Sequence, residues 1–211
     1  DCITCPAGTA CSVGSAEPAP CLPGAYQPFA RQPTCALCPA GKFTPDSGNT
    51  ACRDCTSGFL CVEGSSAPQP CPSGTHADQS IIETVGYLSN LTRNCIMCPA
   101  GTSCAVGSAE PTPCLPGAFG TRPGQQMCEP CLPGTFTSET GQQACEPCRA
   151  GFFCPQGASA PLPCLAGSFS TRTDLHDAAQ CDVTPPGFYS SIGQSEPTPC
   201  TIGTFASRSG S

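Results

Sequence analysis

The spacing of the cysteines constrains this chain more than any other feature. From Cys2, successive cysteines are separated by 2, 5, 9, 13, 2, 13, 2, 5 and 9 residues, and the same nine intervals recur from Cys95. Each cysteine from Cys2 to Cys71 thus has a counterpart 93 residues later. A fixed period of this kind indicates tandem structural units, each of which mainly contacts its neighbours.

The period predicts three segments. Residues 1–94 form a first cysteine-rich super-repeat, residues 95–180 a second, and residues 181–211 a partial, degenerate third. The chain opens inside a repeat, and we expect it to be a segment of a longer secreted protein.

The composition predicts a fold that disulfides hold together. Of 211 residues 22 are cysteine, 26 proline and 23 glycine, and tryptophan is absent. Apolar residues show no periodic stripe that would build a large core. We therefore predict small disulfide-rich repeats, forming an elongated rod of short β-hairpins and turns with little regular secondary structure and no large core. Such a density of thiols is typical of oxidising compartments, so we expect an extracellular or cell-surface protein.

Two short phrases alternate within the period. The first is Cys-x-x-Gly-x-aromatic, at 21–26, 38–43, 114–119, 131–136, 164–169 and 200–205, with His76 at the aromatic position of the copy that starts at Cys71. The second ends in Pro-x-Pro-Cys, at 11–21, 61–71, 104–114 and 154–164. We expect the glycine to form a turn with positive φ or to allow close backbone approach, the aromatic ring to cover a disulfide, and the proline segment to be a stiff extended connector.

The degenerate third copy indicates which cysteines pair. When Cys181 is aligned with Cys95, Thr184 and Ser190 stand opposite Cys98 and Cys104, so both cysteines of the x5 interval are lost together. Joint loss is what a mutual disulfide predicts. The resulting scheme has ten local disulfides: Cys5–Cys11, Cys21–Cys35, Cys38–Cys52, Cys55–Cys61, Cys71–Cys95, Cys98–Cys104, Cys114–Cys128, Cys131–Cys145, Cys148–Cys154 and Cys164–Cys181.

A rival scheme uses every cysteine. It closes Cys2–Cys21 and its counterparts, and it requires Cys35–Cys38 and Cys128–Cys131 to be Cys-x-x-Cys bridges. Such tight bridges are more often redox-active than structural. The local scheme avoids them and leaves Cys2 and Cys200 without partners.

The Cys-x-x-Gly-x-aromatic phrase, followed after about eight residues by Cys-x-x-Cys-Pro, resembles the ephrin-receptor-like cysteine-rich repeat. It is also similar to the first loop of tumour-necrosis-factor-receptor modules. Arrays of such repeats occur in surface proteins of protists and algae, including proteins of flagellar hairs (mastigonemes). The resemblance implies an elongated, disulfide-laddered rod, and it is specific for architecture rather than for role.

Candidate chemical sites are few. Cys-x2-Cys-x13-Cys-x2-Cys, at 35–55 and 128–148, has the spacing of a four-thiolate zinc site, but paired losses and a secreted context favour disulfides, so we predict no metal and no cofactor. His76 and His176 are predicted to be exposed polar residues. No nucleophile elbow, phosphate-binding loop or calcium loop is present, and a thiol–disulfide enzyme would need a βαβ domain. We therefore predict no enzymatic activity.

The interval between Cys71 and Cys95 holds two further candidates. Asn90-Leu91-Thr92 is an N-glycosylation sequon. Ile81, Ile82, Val85 and Leu88 lie at roughly helical spacing, and they form either a partner contact or a small cluster on their own unit.

The predicted function is a structural segment of an extracellular fibre, flagellar hair or cell-surface stalk. The expected partners are other copies of the chain or other fibre subunits, with glycans attached. Eight dispersed Lys and Arg residues make nucleic acid an unsuitable partner, and no apolar run is long enough to span a membrane. The alternative is a receptor ectodomain whose repeats present loops to a ligand.

Overall fold

The structure is a computed structural model that describes residues 2–77 and 95–211. In these residues it consists of two-residue strands, paired as antiparallel hairpins, and a single 3-10 turn. No hairpin joins another into a larger sheet within the described part of the chain. The prediction of disulfide-rich hairpin repeats without a large core is confirmed.

The chain divides into two compact units. The first comprises Asp1–Cys98 and Cys104–Pro111, and the second Pro99–Ser103 and Thr112–Ser211. The predicted division into super-repeats at 94/95 and 180/181 follows the cysteine period instead, and it stays a prediction.

The first unit contains five hairpins formed by consecutive strands. The paired strands are β1 (Thr9–Ala10) with β2 (Ala19–Pro20), β3 (Ala25–Tyr26) with β4 (Ala36–Leu37), β5 (Lys42–Phe43) with β6 (Arg53–Asp54), β7 (Phe59–Leu60) with β8 (Gln69–Pro70), and β9 (Thr75–His76) with β10 (Ile96–Met97).

The second unit contains six hairpins of the same kind. The paired strands are β11 (Thr102–Ser103) with β12 (Thr112–Pro113), β13 (Ala118–Phe119) with β14 (Glu129–Pro130), β15 (Thr135–Phe136) with β16 (Glu146–Pro147), β17 (Phe152–Phe153) with β18 (Leu162–Pro163), β19 (Ser168–Phe169) with β20 (Asp182–Val183), and β21 (Phe188–Tyr189) with β22 (Thr198–Pro199).

The 3-10 turn Ala178–Gln180 lies between β19 and β20. Asp177 caps it: the Asp177 carboxylate accepts from the Ala179 N–H at 2.8 Å, and the Gln180 side-chain oxygen accepts from the Asp177 N–H at 3.2 Å. These reciprocal bonds form a capping box, which satisfies backbone donors that the short turn leaves unpaired.

Ten of the eleven described hairpins begin after a glycine that follows a cysteine by three residues, and the last begins after Gly187, three residues beyond Thr184. Gly24, for example, has φ +84°, a conformation that glycine adopts without a Cβ penalty. Its carbonyl accepts from the Cys38 N–H at 2.9 Å, which closes the hairpin beside β4. The positive φ predicted for this glycine is confirmed.

The proline segments are extended, as predicted, but they are not connectors. Pro20, Pro70, Pro113 and Pro163 each end the second strand of a hairpin. A two-stranded hairpin has only edge strands, where a residue without an N–H is tolerated.

The interior is built mainly of cystine. Cys38, Cys61, Cys71, Cys98 and Cys131 are fully buried. The predicted aromatic cover is only partly present: Phe136 is buried, Tyr26, Phe43, Phe119 and Phe169 are half-buried, and Phe205 is exposed. Two leucines, Leu60 and Leu175, are fully buried, and the sequence pattern does not single them out.

Candidate functional site

In the structure the cysteines pair as in the local scheme. Its ten disulfides are Cys5–Cys11, Cys21–Cys35, Cys38–Cys52, Cys55–Cys61, Cys71–Cys95, Cys98–Cys104, Cys114–Cys128, Cys131–Cys145, Cys148–Cys154 and Cys164–Cys181. Cys2 is free and exposed, and Cys200 is free and half-buried.

The two zinc-like patterns are distributed over separate disulfides. In the first, Cys35 bonds Cys21, Cys38 bonds Cys52, and Cys55 bonds Cys61. The second, over 128–148, is divided in the same way. Cysteine binds zinc as a thiolate, and a sulfur in a disulfide does not offer one.

The short Cys-x5-Cys loops lie beside the aromatic position of the preceding hairpin. Phe136, at 5% exposure, packs with Cys148, Cys154 and Ala158, and its backbone forms a parallel bridge with Ala158. The equivalent bridge in the first unit joins His76 to Ser108. At these two sites the residue at the aromatic position therefore lies against the neighbouring short disulfide loop.

His76 occupies that covering position. Its side chain is 8% exposed, and its Nδ1 lies 3.5 Å from the Cys98 Sγ. The prediction of an exposed residue is therefore wrong, because position 76 has the environment that Phe136 has elsewhere. His176, by contrast, is exposed as predicted.

Thr184 and Ser190 replace a disulfide by a hydrogen bond. The Thr184 hydroxyl donates to the Ser190 Oγ at 2.8 Å, and both residues are buried, at 0% and 3% exposure. The backbone around them keeps the cysteine pattern. Thr184 N donates to the Gly167 carbonyl at 2.9 Å, as Cys148 N donates to Gly134. The joint loss of two cysteines thus leaves a buried polar pair whose members satisfy each other.

Backbone hydrogen bonds from the turn glycines join successive repeats within each unit. Gly24 N donates to the Thr44 carbonyl at 2.9 Å, and Gly117 N to the Thr137 carbonyl at 2.8 Å. Other turn glycines make the same kind of bond to the following repeat: Gly8, Gly41, Gly74, Gly101, Gly134, Gly151, Gly167 and Gly187. Each of these glycines thus uses its carbonyl within its own hairpin and its N–H on the next.

Several turn glycines also touch another glycine of the same unit. A Cβ added to Gly24 would lie 2.1 Å from the Gly64 carbonyl oxygen, and one added to Gly117 would lie 2.3 Å from that of Gly157. The same close approach occurs at Gly8–Gly48, Gly58–Gly107, Gly101–Gly141, Gly151–Gly193 and Gly167–Gly210. We call these pairs the glycine contacts. Nothing larger than hydrogen fits there, a constraint that the sequence signals only through the recurrence of glycine.

The residue after the cysteine in each Cys-Leu-x-Gly phrase is exposed. Leu22, Leu115, Leu132 and Leu165 have exposed fractions of 73%, 69%, 66% and 69%. No feature of the sequence pattern singles them out. They form a repeated apolar feature of the surface rather than part of a core.

Among the residues that the structure describes, two ion pairs lie on the surface. Lys42 pairs with Asp54, the residue opposite it in its hairpin. Arg172 donates from Nε and an Nη to the two carboxylate oxygens of Asp174, both at 2.9 Å. This hydrogen bonding raises the pKa of Arg172 and lowers the pKa of Asp174. Exposed pairs of this kind contribute little to stability.

The remaining candidates from the sequence lie outside the described residues. They are the sequon asparagine Asn90 and the apolar residues Ile81, Ile82, Val85 and Leu88. Their roles stay predictions. Among the described residues, no helix is long and apolar enough to cross a membrane.

Comparison with known families agrees with this architecture. Residues 8–55 match the family model described as tyrosine-protein kinase ephrin type A/B receptor-like. A search of curated proteins found no significant match. The disulfides and the family match together indicate an extracellular or cell-surface domain. The match over residues 8–55 and the tandem cystine hairpins fit a cysteine-rich, ephrin-receptor-like repeat.

Proposed function

We propose that the chain is a non-catalytic structural segment of an extracellular fibre, flagellar hair or cell-surface stalk. The observation that supports this most is the series of backbone bonds between repeats. Within each compact unit, turn glycines donate to the following repeat at 2.7–2.9 Å, whatever side chains surround them. A spacer built of many repeats needs a bond of this kind between neighbours. A backbone hydrogen bond does not depend on particular side chains, so it can recur along the chain.

The disulfides support the same role. Eight of the ten loops span only 6 or 14 residues of sequence separation, so each repeat is stapled locally. Local cross-links keep a repeat folded even where its neighbour is disturbed. A protein that bears load or spaces other domains outside the cell benefits from this independence.

We propose that the partners are other copies of the chain or other fibre subunits. The exposed leucines at 22, 115, 132 and 165 support this, because they repeat one apolar contact along the sequence. Ile81, Ile82, Val85 and Leu88 are a second proposed contact.

Electron microscopy of the native material tests the proposal. Surface structures are isolated without reductant and labelled with gold-conjugated antibodies raised against residues 1–211. We expect the label to recur along fibres or hairs. Label confined to dispersed, membrane-anchored particles that bind a soluble protein ligand would contradict the proposal and favour a receptor ectodomain.

We propose that Asn90 carries an N-linked glycan. The sequon Asn90-Leu91-Thr92 and the extracellular setting support this. We expect peptide N-glycosidase to convert Asn90 to Asp with a shift of about one mass unit. Thr92→Ala serves as the control, since it removes the sequon but keeps Asn90. Unmodified Asn90 peptide in wild-type protein from its native source would contradict the proposal.

A further inference from the structure

The short disulfide Cys98–Cys104 is covered by the imidazole of His76. Both cysteines are buried, at 0% and 1% exposure, and His76 Nδ1 lies 3.5 Å from the Cys98 Sγ. The only nitrogen-bearing ring at an aromatic position of the repeat thus lies against a sulfur–sulfur bond.

Only one of the two atoms in this contact can donate a hydrogen bond. A sulfur in a disulfide carries no proton, so a hydrogen bond between these atoms has to be donated by the His76 Nδ1–H. When Nδ1 carries a proton, that proton faces the atom that becomes a thiolate when the Cys98–Cys104 bond breaks with Cys98 as the leaving group.

The second unit contains a matched site without this donor. Cys148–Cys154 closes a loop of the same sequence separation, 6 residues, and its cysteines are equally buried, at 1% and 0% exposure. Phe136 covers it and makes the backbone bridge to Ala158 that corresponds to the bridge between His76 and Ser108. The two sites differ in the covering ring, an imidazole against a phenyl ring, and in the loop itself, where Phe152 packs beside Phe136.

We propose that Cys98–Cys104 is a site of thiol–disulfide exchange with an extracellular thiol, in which His76 donates a proton to the leaving sulfur. The attacking thiolate forms a bond with the Cys104 Sγ. The Cys98–Cys104 bond breaks, its electron pair moves to the Cys98 Sγ, and this sulfur takes the Nδ1 proton of the His76 imidazolium, which becomes neutral imidazole and regains a proton from solvent. A second thiol then displaces Cys104, which yields the reduced pair and one oxidised dithiol or disulfide of the reagent.

The imidazole favours this reaction because exchange is faster when the leaving sulfur is stabilised. A proton donor placed beside the leaving sulfur raises the rate of exchange, as a general acid raises the rate of a catalysed reaction. A phenyl ring at the same place supplies no proton and leaves the thiolate in an apolar setting. The ladder of disulfides thus contains one short loop that opens more readily than its counterpart.

The test follows each disulfide separately. Intact protein is treated with limiting dithiothreitol, new thiols are blocked with iodoacetamide at successive times, and peptides are quantified by mass spectrometry. We expect Cys98–Cys104 to be reduced at least about tenfold faster than Cys148–Cys154, a modest fraction of what a general acid can supply. We expect His76→Phe to abolish this difference.

The reciprocal variant Phe136→His decides the question even if His76→Phe disturbs folding. It lies in the other unit and is expected to accelerate the reduction of Cys148–Cys154 by a similar factor. Equal rates for Cys98–Cys104 in wild type and His76→Phe, faster reduction in that variant, or no acceleration by Phe136→His would each overturn the proposal.

Discussion

Gly117→Ala is expected to lower the free energy of unfolding by at least about 3 kcal/mol, whereas Gly187→Ala is expected to lower it by only about 1–2 kcal/mol. The two glycines have nearly the same φ, +86° and +85°. Both also make the same backbone bonds: each donates to the next repeat and accepts from the cysteine that ends its hairpin. Alanine at either position therefore has the same conformational cost.

The difference arises from the glycine contact. A Cβ on residue 117 would lie 2.3 Å from the Gly157 carbonyl oxygen, while one on residue 187 would meet no described atom within 4 Å. The backbone at 117 has to move away, which weakens the bond from Gly117 N to Thr137 and the bond from Cys131 N to Gly117. Each such bond, once lost in a poorly hydrated place, costs about 1–3 kcal/mol.

Hydrogen exchange is the appropriate measurement, because tandem repeats need not unfold in one step. For each amide we compare the exchange rate in the variant with the rate in wild type. We expect this ratio to be at least about tenfold larger for residue 117 and Cys131 in Gly117→Ala than for residue 187 and Cys200 in Gly187→Ala, since about 1.4 kcal/mol corresponds to tenfold. Disulfides stay oxidised throughout. Equal losses of protection in the two variants would contradict this prediction. They would show that the cost of alanine comes from the backbone conformation alone and that the glycine contact adds nothing to it.

The features that could be predicted from the sequence are those fixed by short separations along the chain. The turn glycines follow a cysteine by three residues, so their positive φ can be inferred from local geometry alone. The joint absence of cysteine at Thr184 and Ser190 indicates which cysteines pair in the other repeats, because the loss of one cysteine of a disulfide would leave the other as a free thiol.

The features that escaped prediction depend on contacts between repeats. Gly117 and Gly157 are 40 residues apart, and nothing in either local phrase indicates that they touch. His76 departs from the aromatic consensus, and a polar residue met alone in sequence is most simply placed in solvent. Its burial follows only once the hairpin that carries it is packed on the Cys98–Cys104 loop.

The degenerate repeat offers a direct test of whether its lost cross-link can be restored. Thr184→Cys with Ser190→Cys is expected to form an eleventh disulfide and to stabilise its hairpin by about 2 kcal/mol, the chain-entropy value for a loop this short. The wild-type hydroxyls already lie 2.8 Å apart and buried. The backbone bonds are also those of a short disulfide loop: Gly167 N donates to Ser190 as Gly134 N donates to Cys154.

Two single variants separate the cross-link from the change of side chain. Thr184→Val removes the donor to Ser190 and is expected to destabilise the repeat by about 1 kcal/mol, the cost of a buried hydroxyl that loses its partner. Thr184→Cys alone is expected to add one free thiol and no stability. The double variant has to show the two free thiols of wild type, Cys2 and Cys200, in a peptide map without reduction. Four free thiols, or bridges from the new cysteines to Cys200, would mean that the repeat has lost the geometry of a disulfide as well as its sulfurs.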